Sequence, residues 1–211
     1  MKVAVFNGSP KKEGNTFHAL RIVAAELEAR GIGTEIYHVG AKPVASCTAC
    51  GSCGKNRDEK CILQKDGVNE WIQAMKNADG ILLGSPVHYA GISATMKCFL
   101  DRAFYVAGAN GGLFRHKVAS GLVAVRRSGG LPAFQQLNTY LLYSEMLVPS
   151  ANYWNVIHGR APGEVAQDAE GVQIMRTLGK NMAWLLELVA AGKGAVAEPA
   201  KEGKTYTNFI R

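Results

Sequence analysis

No stretch of this 211-residue chain approaches the roughly 18 consecutive apolar residues that a membrane-spanning helix needs. The apolar start, Val3-Ala4-Val5-Phe6, gives way at once to Asn7-Gly8-Ser9-Pro10 and is too short for a secretion signal. Charged residues make up only 19%, against 47% hydrophobic, which argues against disorder and for an ordinary packed domain. No five basic residues stand in a row. The net charge of +7 is therefore spread singly and in pairs (Lys11-Lys12, Arg126-Arg127) rather than gathered into a nucleic-acid-binding stripe. There is no internal repeat and no low-complexity segment. Also missing are the Gly-x-Gly-x-x-Gly dinucleotide fingerprint and the Gly-Lys-Ser/Thr of a phosphate-binding Walker loop. The expectations are a cytoplasmic protein with no membrane or nucleic-acid partner.

What is present alternates. Short apolar runs at 3–6, 34–39, 81–83, 118–125 and 153–157 read as strands. Between them, apolar residues at helical spacing predict helices over 15–30, 66–76, 92–105, 132–145 and 165–190. Strands that are apolar throughout are covered on both faces, which gives α/β class with a doubly wound five-stranded parallel sheet. Residues 1–191 form one domain with a cysteine-rich loop at 42–65, and 192–211 form a polar tail. In such sheets ligands bind beyond the carboxyl ends of the strands.

Three loops fall there. Gly8-Ser9-Pro10-Lys11-Lys12-Glu13-Gly14-Asn15-Thr16 offers hydroxyls, an amide and a helix start, a natural phosphate cradle in which Asn15 can also cap the helix. Gly84-Ser85-Pro86-Val87-His88-Tyr89-Ala90-Gly91 ends the third strand with a rigid, aromatic wall suited to a flat ring. In Arg126-Arg127-Ser128-Gly129-Gly130, paired glycines let the backbone approach a ligand closely.

Four of the five cysteines fall in one run, Cys47-x2-Cys50-x2-Cys53-x7-Cys61. Thiols clustered this way in a chain without a secretion signal point to metal or redox work. Repeated x2 spacing matches iron–sulfur ligation better than the two separated knuckles of structural zinc. Zinc, free thiols and disulfides remain alternatives. Cys98, alone in a helical stretch, reads as core.

Gly-Ser-Pro-x-x-x-Gly-Asn-Thr followed by Gly-Ser-Pro-Val-x-Tyr resembles the flavodoxin-like NADPH-dependent FMN reductase superfamily. The resemblance runs through Met96-Lys97-x-x-x-Asp101-Arg102 and Tyr153-Trp154-Asn155 to Thr-Asn-Phe-Ile-Arg at Arg211. It implies strand order 2-1-3-4-5, FMN as cofactor and NAD(P)H as co-substrate. FMN would contact Ser9, Lys11, Asn15, Thr16, Pro86, Val87, His88, Tyr89, Arg126, Ser128 and Gly129. The cysteine run is similar to that of the iron–sulfur flavoproteins of this superfamily, which implies a [4Fe–4S] cluster on Cys47, Cys50, Cys53 and Cys61.

The chemistry would lie at flavin N5, with no catalytic side chain required; His88 is the nearest candidate for moving a proton. Electrons would pass to a small-molecule or protein acceptor. Alternatives are an iron–sulfur flavoprotein fed by ferredoxin, a flavodoxin-type carrier, or a regulatory binding protein. The resemblance also implies a homodimer or larger assembly, with exposed Tyr153 and Trp154 and the tail reaching a neighbouring chain.

Overall fold

A computed structural model describes residues 1–209. Its strands are β1 (Lys2–Asn7), β2 (Gly33–His38), β3 (Gly80–His88), β4 (Gly91–Ile92), β5 (Val118–Val125) and β6 (Val156–His158). Its helices are α1 (Asn15–Glu28), α2 (Ser52–Asn56), α3 (Val68–Asn77), α4 (Ala94–Ala109), α5 (Gly130–Tyr143) and α6 (Ala169–Gly192). The sheet runs β2-β1-β3-β5-β6, all parallel, with β4 added as an antiparallel partner of β3. This is the expected five-strand order with one two-residue strand inserted.

Successive side chains of a strand point to opposite faces, and the apolar strands serve two cores. Val3 and Val5 of β1 and Leu82 of β3 pack with Leu20 and Val23 of α1 and Met175 and Leu178 of α6. Ala4 and Phe6, with Ile81 and Leu83, pack on the other face with Ile72, Phe99 and Leu137 of α3, α4 and α5.

Several boundaries differ from the sequence reading. The turn-like Gly84-Ser85-Pro86 does not end β3. These residues stay in register with Leu122, Val123 and Ala124 of β5. Pairing with β1 stops at Gly84, so beyond it β3 has one free side, and the N–H that Pro86 lacks leaves no gap in a ladder there. Ile92 belongs to β4 rather than to the following helix. The last strand starts at Val156, leaving Tyr153 and Trp154 before it. The helix expected from 165 starts at Ala169, after a short 3-10 turn at Glu164–Gln167. Cys98 is half-buried rather than core. The tail lies on its own chain: Lys201 Nζ donates to the Gly111 carbonyl (2.7 Å), Arg115 to the Pro199 carbonyl (3.1 Å) and Lys204 Nζ to the Tyr143 hydroxyl (2.6 Å). The expected contacts of Ile210 and Arg211 lie outside the described residues.

Candidate functional site

A cleft of about 210 Å³ opens at the carboxyl ends of β1, β3, β5 and β6. Of the residues expected at a cofactor, it gathers Ser9, Lys11, Asn15, Thr16, Pro86, Val87, His88 and Arg126. Tyr89, Ser128 and Gly129 are not in its lining. Tyr89 is fully exposed and stands beside it at the tip of the β3–β4 hairpin, where Tyr89 (φ 48°) and Ala90 (φ 60°) are both left-handed. That is the backbone of a tight primed turn, which elsewhere is built from Asn and Gly, so this hairpin holds an aromatic in a strained position. Gly129 (φ 85°) packs against the same hairpin: a side chain there would run into the Ala90 backbone at 2.8 Å.

The first two loops are tied together. The Gly8 amide donates to the Gly84 carbonyl (2.8 Å). Ser93 Oγ donates to the Gly8 carbonyl (2.7 Å), and the Ser93 amide donates to Ser85 Oγ (2.9 Å), which in turn donates to the Pro86 carbonyl (2.8 Å). Asn7 Oδ1 accepts from the Ser9 amide (3.0 Å), and Ser9 Oγ accepts from the Lys11 amide (3.1 Å). Gly40 lets the chain after β2 touch this loop, since a Cβ there would sit 2.1 Å from the Ser9 carbonyl oxygen. The loop is thus rigid before any ligand arrives.

Asn15 does not cap α1. Gly14 holds the cap position with no side-chain bond, the first turn carries no acid, and Asn15 is the first helical residue. Its Oδ1 accepts weakly from the Val165 amide (3.5 Å). An uncapped helix start beside buried Ser9 and Thr16, with Lys11 nearby, is chemically an anion cradle, so the residues present fit a flavin phosphate.

A fourth loop, Gly159-Arg160-Ala161-Pro162, closes the cleft and escaped the sequence reading. Its signal was its composition: Gly, Arg and Pro just past a strand, a mix of the Gly-Pro of the first two loops and the Arg-Gly of the third. The Glu164 carboxylate accepts from the amides of Arg160 and Ala161 and so fixes the turn. Those two bonds hold the Glu164 carboxyl below the usual glutamate range.

The cysteine loop is organised differently. Its bends are left-handed at Ala49, Gly51, Arg57 and Glu59, and α2, which the sequence reading did not foresee, carries Cys53. Its anchor is Arg102 of α4, whose side chain is completely buried. Arg102 donates to the Ala45 carbonyl (3.3 Å), the Leu63 carbonyl (2.6 Å), the Asp66 carboxylate (2.5 Å) and Cys61 Sγ (3.2 Å). Burial alone would raise the Asp66 carboxyl, but the guanidinium and the Ala45 amide hold it below its ordinary value. Asn69 brackets the Cys61 backbone, accepting from its amide (2.8 Å) and donating to its carbonyl (2.9 Å).

Burial pushes the Cys53 thiol up, and Cys50 and Cys61 act on it in the same direction. Exposed Cys50 is held down by the Ser52 hydroxyl, the Ser52 amide and the Thr48 hydroxyl. The donor chemistry suits a cluster, and the Cys53 thiol feels both Cys50 and Cys61. Yet among the described residues no three His, Cys, Asp or Glu side chains lie close enough to hold a metal ion. The expected four-sulfur cradle is therefore not formed in this arrangement.

Comparison with known proteins places this geometry. The family model described as NADPH-dependent FMN reductase matches residues 1–161. The chain is 36% identical over 197 residues to an iron-sulfur flavoprotein of Methanocaldococcus jannaschii, covering 90% of this chain and 99% of that protein. It is 30% identical over 200 residues to an iron-sulfur flavoprotein of Methanosarcina thermophila, covering 90% and 97%. The fold superposes on a flavodoxin, a WrbA-like protein from Agrobacterium tumefaciens, with a TM-score of 0.62 at 19% identity, over 89% of this chain and 97% of the other.

Proposed function

This chain belongs to the NADPH-dependent FMN reductase family, a family of flavin oxidoreductases with a flavodoxin-like fold, and on that premise we propose that it binds FMN in the strand-end cleft, takes hydride from NAD(P)H and passes electrons to a second acceptor. The observation that carries the reading is the cleft itself. It joins an uncapped helix start, two buried hydroxyls and the cations Lys11, Arg126 and Arg160 to a wall of Pro86, Val87 and His88. Bound FMN supplies a ring system that accepts two electrons from a reduced nicotinamide and releases them singly or in pairs.

The chain's residues do the rest. Ser9, Asn15 and Thr16 receive the phosphate at the start of α1. Lys11 and Arg160 balance its charge. The Pro86–Tyr89 hairpin, backed by Gly129, would support one face of the ring, with Ser128 in the adjoining loop, and would leave the other open to donor and acceptor. His88, exposed at the rim, is placed to move a proton to or from a small acceptor.

Freshly purified protein should be yellow, and anaerobic NADPH should bleach it. Colourless protein that does not take up FMN overturns the site. Flavin that ferredoxin reduces and neither nicotinamide does overturns the donor. Asn15→Ala should weaken FMN binding by about 1–2 kcal/mol, the worth of a hydrogen bond to a charged group.

The reading extends to iron. The spacing of Cys47, Cys50, Cys53 and Cys61, together with the name carried by the relatives, supports a [4Fe–4S] cluster on these four thiols, about which the loop would have to tighten. Iron and sulfide analysis of anaerobically reconstituted protein tests this. Single Cys→Ala changes at any of the four should remove most of the iron and leave FMN in place, whereas Cys98→Ala should leave both.

We further infer a homodimer or larger assembly. Tyr105, Leu142 and Tyr143 are exposed on α4 and α5 and support such a contact. A monomer in light scattering at micromolar concentration overturns it.

A further inference from the structure

A second cleft, of about 230 Å³, lies back to back with the first. The two share a ridge: Arg126 lines one and Arg127 the other, and likewise Gly159 and His158. The second cleft is floored by Val156 and Ile174, and Leu131, Tyr153 and Trp154 stand over it. Tyr153 and Trp154 meet edge to face, with ring centroids 4.6 Å apart, and are 57% and 49% exposed.

They are exposed but not loose. The next residue, Asn155, is buried; its amide group donates to the Gly121 carbonyl (2.9 Å) and to Ser120 Oγ (3.2 Å), and its carbonyl accepts from the Val123 amide (3.0 Å). The Val156 amide closes a tight turn onto the Trp154 carbonyl (2.7 Å). The sheet thus presents a rigid aromatic platform to solvent, and no step of the proposed chemistry uses it.

We propose that this second cleft binds the adenosine end of the nicotinamide dinucleotide, with its base on the Tyr153–Trp154 pair and its pyrophosphate on the Arg126–Arg127 ridge. The inference rests on the proposed use of NAD(P)H. The order of parts along the protein repeats the order along that ligand. An aromatic platform suits a planar base, because base–aromatic stacking needs only a ring face. Arg126 and Arg127, consecutive in the chain and each lining one cleft, offer a guanidinium on either side of the ridge to two linked phosphates. Beyond the ridge, the His88 side of the first cleft is where a nicotinamide would meet the flavin. Two acids also line this cleft: the Asp168 carboxylate is turned to the Gly171 amide (2.9 Å) and the His158 amide (2.7 Å), and Glu170 is exposed, so the phosphates are placed on the arginine ridge away from both.

The test uses FMN-loaded protein and two donor classes: NADH or NADPH, and reduced nicotinamide mononucleotide, which lacks the adenosine. In the wild type the dinucleotides should be preferred by kcat/KM. Trp154→Ala should lower kcat/KM for the dinucleotide about tenfold or more and collapse that preference, and Trp154→Phe should restore it. Titration calorimetry gives a readout free of turnover: 5′-AMP should bind the wild type and not Trp154→Ala. Equal losses for both donor classes, or absence of 5′-AMP binding to the wild type, overturn the inference and leave flavin reduction by nicotinamide standing. A Trp154→Ala protein that changes oligomeric state but still binds 5′-AMP assigns the platform to a second copy and likewise overturns it. Failure of all three donors to reduce wild-type flavin is the distinct result that removes the underlying reading.

Discussion

The strand-end cleft and the cysteine loop are both built from chain that has left the sheet, yet they are held by opposite means. The cleft's walls are continuations of strands. Each loop begins in a buried ladder, and the first two are stitched together by several separate bonds such as Gly8 to Gly84 and Ser93 to Gly8. The cysteine loop has no ladder beneath it. One side chain from a helix behind it, Arg102, reaches both its beginning at Ala45 and its end at Leu63 and Asp66. Bonding at many points spreads the risk of any one substitution. Gathering both ends of the loop on one buried charge concentrates it, although Asn69 also holds Cys61, and Lys76 and Asn110 hold Glu59.

The sharpest way to break that contrast is Arg102→Leu. It removes four bonds at once and leaves Asp66, 11% exposed, without its partner. A destabilisation of about 3–5 kcal/mol is expected from denaturant unfolding. Limited proteolysis should cut first between residues 45 and 63, while the cleft keeps its fold where the variant still folds. A loss under ~1 kcal/mol would show that the loop is not hung from this residue.

In the cleft, Gly40→Ala should cost less, about 1–3 kcal/mol, because backbone must shift to relieve the contact with the Ser9 carbonyl. Its effect should fall more heavily on FMN binding than on iron content, which separates the two regions directly.

Ser93→Ala should cost about 1–2 kcal/mol. The residue both caps α4, accepting from the Met96 amide (3.3 Å), and donates to Gly8.

The smallest expected effect is at Glu164. Its carboxyl is held below the usual range in the folded chain, so its contribution is present above the ordinary glutamate value near ~4.3 and is lost as pH falls through the lower folded value. Amide exchange at Arg160 and Ala161 should show protection that fades over that acid window. In Glu164→Gln the protection should be weaker and should not change with pH. The same profile in both proteins would mean that the carboxylate does not hold the turn.

What could be read from the residues follows the same division. The alternation of strands and helices was legible because most strands are largely apolar, β2 (Gly-Thr-Glu-Ile-Tyr-His) being the exception, and the strand order came with the family resemblance. Boundaries went astray where tertiary pairing overrode local signals: Pro86 stays in β3 because only one edge of that strand is paired there. Asn15 looked like a cap, and the loop geometry gave the position to Gly14. The loop around Arg160 was overlooked because its Gly, Pro and Arg carry no spacing pattern, only a position in space. The cysteine run was visible as chemistry, but its suspension from Arg102, roughly 40 residues further on, is a long-range fact that no local pattern encodes.

Because one guanidinium grips the chain where the cysteine loop departs and again where it returns, the stretch between is a closed handle, tied back at Cys53 and Glu59 and slack between those ties. Closing a longer handle adds only about 0.6 kcal/mol for each doubling of its residues. Insertions between Arg57 and Asp58, ahead of the ties at Glu59, should therefore leave the domain's folding nearly untouched. The interval separating the third and fourth thiols is free to drift, as the spacing inside a strand-end loop is not.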